Sequence, residues 1–244
     1  MLEKYVVVDL EMTGVQVRID SVIEIGAVKV TPDCVEYFQK LLKPRTPIPE
    51  YIEELTGITN DMVNEQGEDA DEAMRAFFEF AEDLPLVGHM ISCDYAFLKQ
   101  WNINKGYKYD RLGVDTLKLS RQFLPELEKR TLDYLVEYYD IYRVTNHRAL
   151  EDAKATNILY RCLCTEFEEE KFENAFRAKE MQYQAKKQTP ATKRQQEYLK
   201  KLVKFHGIEM PEGYEAFTRS EMSRVTDRLL SQYGKMDKEE TQDA

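Results

Sequence analysis

Val6, Val7 and Val8 follow Tyr5 in an unbroken apolar run that stops at Asp9-Leu10-Glu11. A run without polar alternation predicts a strand over 5–10 buried on both faces. Two further strand patterns, 22–30 and 34–42, flank Thr31, Pro32 and Asp33, and this turn signal predicts a hairpin. A Pro-rich loop, KPRTPIPE, follows, and short helices are expected at 50–55 and 59–64 on either side of Gly57. The periodicity then predicts an amphipathic helix over 69–82, a fourth strand from Leu84 to Gly88, and a helix from about Asp94. A short fifth strand is expected at Leu112–Val114, with helices at 116–123, 131–139 and 148–179, the last with room for an interruption. There is no internal repeat.

The pattern changes near 180–190, where MQYQAKKQTP is polar and Pro190 breaks any continuing helix. Thr192 is placed to cap a new helix carrying Tyr198, Leu199, Leu202, Val203 and Phe205, which Gly207 ends. Another helix begins near Ser220 and carries Met222, Val225, Leu229 and Leu230. The expected organisation is a main domain over 1–182, a small helical hairpin over 183–235 and a disordered tail over 236–244.

Charge sharpens this division. Of the 244 residues, 43% are hydrophobic and 32% charged, as in a soluble globular protein, and the net charge is -11. Residues 1–182 hold 22 Lys+Arg against 35 Asp+Glu, whereas 183–235 hold 11 against 6. An acidic body argues against coating duplex nucleic acid nonspecifically, but leaves open the gripping of a chain end through bound cations. No charged-then-apolar leader precedes the first strand, and no apolar run is long enough to span a bilayer. Cys34, Cys93, Cys162 and Cys164 form no CxxC pair, so reduced thiols and a cytoplasmic setting are expected.

Acidic residues stand at unusual places in this pattern. Asp9 and Glu11 are two apart on a strand and point to the same side, where like charges repel. They fit either a solvated loop or a bound cation. Asp94 lies on the apolar stripe of Phe97, Leu98 and Trp101, as an N-cap or as an inward ligand. Asp152 shares a helix face with Ala155, Thr156, Leu159 and Leu163, where an unpaired carboxylate is costly. A salt bridge or a metal would each resolve that cost. His147 precedes this helix in the polar segment TNHRALED. Carboxylate ligands suit Mg²⁺ or Mn²⁺ rather than zinc or copper. Carboxylates around two such ions, with a histidine of ordinary pKa, are a known device for cleaving phosphodiesters.

Three segments, VVVDLEMTG, LVGHMISCDYAFL and NHRALEDAKAT, resemble in order and spacing the DnaQ-like family of 3′–5′ exonucleases. The resemblance is to the subgroup with four acids and a histidine. SVIEIGAVKV and LLKPRTPIPEYIEELTGIT are similar to the proofreading exonucleases of bacterial replicative polymerases, and the match covers residues 4–165. The resemblance implies a ribonuclease-H-like fold, a mixed five-stranded sheet flanked by helices. It implies two Mg²⁺ or Mn²⁺ ions per site, with Asp9, Glu11 and Asp152 binding one, Asp9 bridging to the second and Asp94 assisting. His147 would be the general base, and Met12 and Thr13 would lie against the terminal nucleotide. The products would be nucleoside 5′-monophosphates released from a single-stranded 3′ end, with a DNA polymerase or helicase as a candidate partner.

The chain departs from the family pattern at three points. Met90 follows His89 where members often have Asn, Cys93 replaces an aromatic residue, and Met12 stands where many polymerase-type members have Thr. DLEMTG is also the form of oligoribonucleases, so trimming of short RNA is an alternative to single-stranded DNA. A silent adaptor that docks on a polymerase or helicase is a third reading, opposed by the filled set of four acids and a histidine.

Overall fold

The computed structural model describes residues 1–169, 172–211 and 213–236. The chain divides into two compact units, Met1–Ala185 and Lys186–Ala244. The tail expected to be disordered lies outside the described residues from Asp237 onward.

The first unit is built on a sheet in the order β3-β2-β1-β4-β5-β6. Its central strand β1 (Tyr5–Met12) pairs antiparallel with β2 (Val22–Val30) and parallel with β4 (Leu86–Gly88). Strand β3 (Val35–Leu41) closes the expected hairpin, with Val30 opposite Val35. β5 (Leu112–Asp115) runs parallel to β4.

The sheet therefore has six strands among the described residues, not five. The sixth, β6 (Lys179–Glu180), pairs antiparallel with β5 at the edge. Two residues are too few to show an alternating pattern, so this strand is decided by its neighbour. The helix expected over 148–179 is likewise shorter. Helix α7 (Ala149–Glu166) stops at Phe167, and a single turn, α8 (Glu173–Phe176), precedes β6. The apolar positions that extend the helical pattern wrap around one ring instead. Phe167, Phe172 and Phe176 all pack on Phe123, with centroids 4.7, 5.0 and 5.4 Å away.

Helices α1 (Glu50–Thr56), α2 (Asn60–Gln66), α3 (Ala70–Ala81), α4 (Ser92–Lys105), α5 (Thr116–Phe123) and α6 (Leu132–Tyr138) complete the unit. Val6, Val8 and Leu10 point into one core with Met74 and Phe77 of α3 and Tyr95 and Leu98 of α4. Tyr5 and Val7 point into the opposite core with Leu159, Tyr160 and Leu163 of α7. The three valines are at most 1% exposed, and burying each contributes about 1.5–3 kcal/mol. Their run is apolar throughout because both faces of β1 are covered. Gly26 on β2 is required by close approach, since a Cβ there would meet the Ala149 carbonyl carbon at 2.0 Å. The start of α7 thus lies directly against the sheet.

In the second unit, α9 (Lys193–His206) and α10 (Arg219–Tyr233) form the expected helical pair. Thr192 with Gln195, and Thr218 with Glu221, form capping boxes, and Gly207 ends α9 at φ 62°. Leu199, Val203 and Met222 make its core.

Candidate active site

The odd-numbered positions of β1 face α7, so the strand that buries Tyr5 and Val7 carries Asp9 and Glu11 towards the same helix. Asp9 is half-buried, and its carboxyl is held well above the usual carboxylate range by burial, then by the charges of Asp94, Glu11, Asp152 and Glu24. Burial, with Asp152, Glu24 and Asp94, pushes Glu11 up to about 8. These shifts mark negative charge gathered at the end of one strand without enough local compensation.

Asp94 comes from the other side of β1. Helix α4 begins at Ser92, and its cap residue Ile91 makes no side-chain cap bond. Asp94 therefore sits inside the first turn and is not the cap. Its carboxylate is 5% exposed and accepts a hydrogen bond from the Leu10 backbone N–H at 3.1 Å. Burial still pushes it up to about 7, against the pull of that bond.

Asp152 lies on α7 with Ala155, Thr156, Leu159 and Leu163, all buried, as the helical spacing requires. Its two oxygens are both engaged. Oδ1 accepts from Arg143 Nη1 at 2.7 Å, and Oδ2 accepts from the His147 backbone N–H at 3.1 Å. Burial raises its pKa more than Arg143 lowers it. Arg143 also pairs with Asp133. The salt-bridge reading of Asp152 thus holds in the structure, and Arg143 is a site residue missed in the sequence. Nothing distinguishes an arginine in the loop segment YDIYRVTN from a solvated one until the fold brings it to Asp152.

His147 adopts φ 55°, the left-handed region that a residue with a Cβ enters at a cost. That conformation turns its backbone N–H onto Asp152. Single ligand atoms of Glu11, His147 and Asp152 all lie within 4.8 Å of one another. Asp9 and Asp94 are outside this tightest group, and Asp9 is joined to it through the mutual charge repulsion already described.

Glu24 also escaped notice in the sequence. It lies directly opposite Glu11 in the β1–β2 register, is fully buried, and accepts from Arg148 Nη2 at 2.8 Å, the Ala149 backbone N–H at 2.9 Å and Gln39 Nε2 at 2.8 Å. An acid at an otherwise apolar position of a central strand was its available signal.

Met12 is half-buried against the α3–α4 core. Thr13 is buried, with its hydroxyl accepting from the Ser21 backbone N–H at 2.9 Å and facing Asp20. That bond and the Thr13 N–H, which donates to the Ser21 carbonyl at 2.9 Å, close the 13–21 loop. His89 links three elements, with Nδ1 2.9 Å from Thr116 Oγ1 and Nε2 2.8 Å from the Arg130 carbonyl. Burial lowers its pKa, so it serves as a neutral brace. Met90 takes φ 65°, where Asn is more easily accommodated, and its N–H donates to Asp115.

A donor set of carboxylates and one imidazole is the chemistry of a hard divalent cation. The raised pKa values fit that group, since burial and mutual repulsion are what a nearby cation would offset. Arg143 supplies only part of this compensation, and only to Asp152.

Comparison with known proteins identifies the family and the fold. A model of the exonuclease family RNase_T matches residues 6–160. The PolC-type DNA polymerase III of Caldanaerobacter subterraneus subsp. tengcongensis is 38% identical over 154 residues, covering 63% of this chain and 11% of that protein. The same enzyme of Thermotoga maritima is 38% identical over 155 residues, covering 62% and 11%. The chain thus matches about a tenth of the length of these relatives. Among solved structures, E. coli exonuclease I in complex with a dA16 oligonucleotide superposes with TM-score 0.59 at 17% identity, covering 67% of this chain and 41% of that one. Exonuclease X in complex with 5′-overhanging duplex DNA gives TM-score 0.53 at 21% identity, covering 68% and 93%. These likenesses show the ribonuclease-H-like fold. With the family model covering more than half of the chain and every motif segment, the chain belongs to the RNase_T exonuclease family.

Proposed function

We propose that this protein is a metal-dependent 3′–5′ exonuclease that shortens single-stranded DNA from its 3′ end and releases nucleoside 5′-monophosphates. The observation that carries this reading is the meeting of Glu11, Asp152 and His147 within 4.8 Å at the end of the central strand. Asp9, Glu11, Asp94 and Asp152 would hold two Mg²⁺ or Mn²⁺ ions, which when bound activate water and neutralise phosphoryl oxygens.

His147 is the general base in this scheme, accepting a proton from the attacking water. Its backbone N–H on Asp152 keeps the imidazole beside the carboxylates. Met12 ends β1 and Thr13 follows it, and in this scheme they line the place of the terminal nucleotide, with main chain of the 13–21 loop facing its sugar. The likeness to PolC-type DNA polymerase III supports work beside a DNA polymerase. Four free cysteines support a reducing, cytoplasmic setting, and among the described residues no helix is long and apolar enough to cross a membrane.

The test is release of nucleotide from 3′-labelled and 5′-labelled single strands of DNA and RNA, with Mg²⁺, Mn²⁺ or EDTA. The 3′ label should leave first, only with metal, and faster from DNA. Consumption of RNA alone would replace the substrate with oligoribonucleotides. No release from either would leave the adaptor reading. Asp9→Ala should abolish turnover. His147→Ala should reduce it about 10²–10⁴-fold while Mn²⁺ binding by calorimetry stays largely intact.

A further inference from the structure

We propose that the second unit carries its own binding surface for single-stranded nucleic acid, a stripe along α9 formed by Arg194, Tyr198, Lys201 and Phe205. These residues are spaced four, three and four apart, which places them on one flank of the helix. The buried face of the helix holds Leu199, Leu202 and Val203. Tyr198 and Phe205 are 39% and 38% exposed, although α10 is near enough to bury Leu199 and Val203 completely or almost so. Arg194 and Lys201 are exposed as well.

Of the stripe's side chains, Phe205 meets the His206 ring edge-on at 4.9 Å and keeps its other face open. Arg194, Tyr198 and Lys201 have no hydrogen-bond or ion-pair partner among the described residues. Elsewhere on α9 such groups are used: Lys200 sits over the Tyr214 ring, and His206 reaches the Gly234 carbonyl. Beside the stripe runs a groove of about 330 Å³ lined by Arg194, Gln195, Tyr198, Ser223, Thr226 and Asp227.

Charge and shape select the occupant. The segment 183–235 holds 11 basic against 6 acidic residues, in contrast to the acidic body. Alternating cations and aromatic rings suit a chain of phosphates and unpaired bases, because each base offers a face to stack and each phosphate a charge. From Arg194 to Phe205 the helix rises about 16 Å, room for two or three extended nucleotides. A duplex would hide its base faces and leave the rings unused.

The proposal does not depend on the exonuclease reading. Its test uses the full chain, EDTA, and a small labelled circle of single-stranded DNA that has no end to digest, with a circular RNA as the second arm. Arg194→Ala/Lys201→Ala should weaken binding about tenfold at low salt and lower the log–log salt slope by about 1.4. Tyr198→Ala/Phe205→Ala should weaken it at least about tenfold with the slope held. Tyr198→Leu/Phe205→Leu keeps apolar bulk and guards against loss of folding, and should weaken binding as the alanine pair does. Both circles failing to bind, duplex binding equally well, or affinities that none of these pairs moves would overturn the proposal and leave a protein as the occupant.

Discussion

Arg148 lays its guanidinium along the buried carboxylate of Glu24, Nη2 to Oε1 at 2.8 Å and Nε to Oε2 at 3.1 Å. The second oxygen also takes the Ala149 N–H, so one strand residue holds both the arginine before α7 and the first residue of that helix. His147 is the preceding residue, and Asp152 is one turn in. Glu24 does not reach the carboxylate cluster through a bond. It sets where the cluster's last two members begin.

Breaking this clamp should loosen His147 without removing a ligand. Glu24→Ala leaves Arg148 without its main partner and should cost about 3 kcal/mol of stability, read from urea unfolding. Glu24→Gln, which keeps an acceptor for the Ala149 N–H, should cost about half as much. Its turnover should fall while the KM for oligonucleotide stays close to wild type. A KM rise with turnover unchanged would show that the clamp serves binding instead.

Arg143 donates to Asp152 Oδ1 and so occupies one of the two oxygens this carboxylate could offer a cation. Replacing it should make Asp152 a better ligand and a worse neighbour. Arg143→Met is expected to tighten Mn²⁺ binding about fivefold by calorimetry and to lower stability in EDTA. Weaker Mn²⁺ binding would mean that Arg143 positions Asp152 for the ion rather than competing with it.

Metal-free stability should fall as pH rises from about 5 to 8. Glu11 is raised from 4.5 to about 8 and Asp94 from 3.8 to about 7, with Asp9 raised as well. Over that interval the folded state binds more protons than the unfolded state, so unfolding becomes easier with rising pH. His89, whose pKa burial lowers, works the opposite way, but it is one group against four, since Asp152 is raised too. Urea midpoints in EDTA should therefore decline from pH 5.5 to pH 8, and Mn²⁺ should remove the decline. Asp9→Asn/Glu11→Gln should flatten it without metal. A rising midpoint in EDTA would contradict the charge crowding described for the cluster.

Met90 carries left-handed backbone at φ 65° beside the helix that bears Asp94. Met90→Asn should relieve that strain and stabilise the protein by about 0.5–1 kcal/mol, because Asn tolerates this region better. Thermal unfolding in EDTA measures it. No gain would mean that Met90 makes compensating apolar contacts.

Much of this protein is written locally. The valine run, the turn at Thr31–Asp33, the caps at Thr192 and Gly207 and the inward face of Asp152 follow from periodicities of two and 3.6 and from turn chemistry, which act over a few residues. Asp9, Glu11, Asp94, His147 and Asp152 were readable because each breaks such a local pattern or sits in a motif segment. The sixth strand, the fold-back of Phe167 to Phe176 onto Phe123, Arg143 on Asp152 and Glu24 on Arg148 were not. Each is a pairing between distant parts of the chain, and Glu24 and Arg148 are 124 residues apart. A charged residue looks the same in sequence whether water or another charge completes it. Only the packed sheet and α7, by excluding water and bringing β2 against the start of that helix, decided which partner each one has.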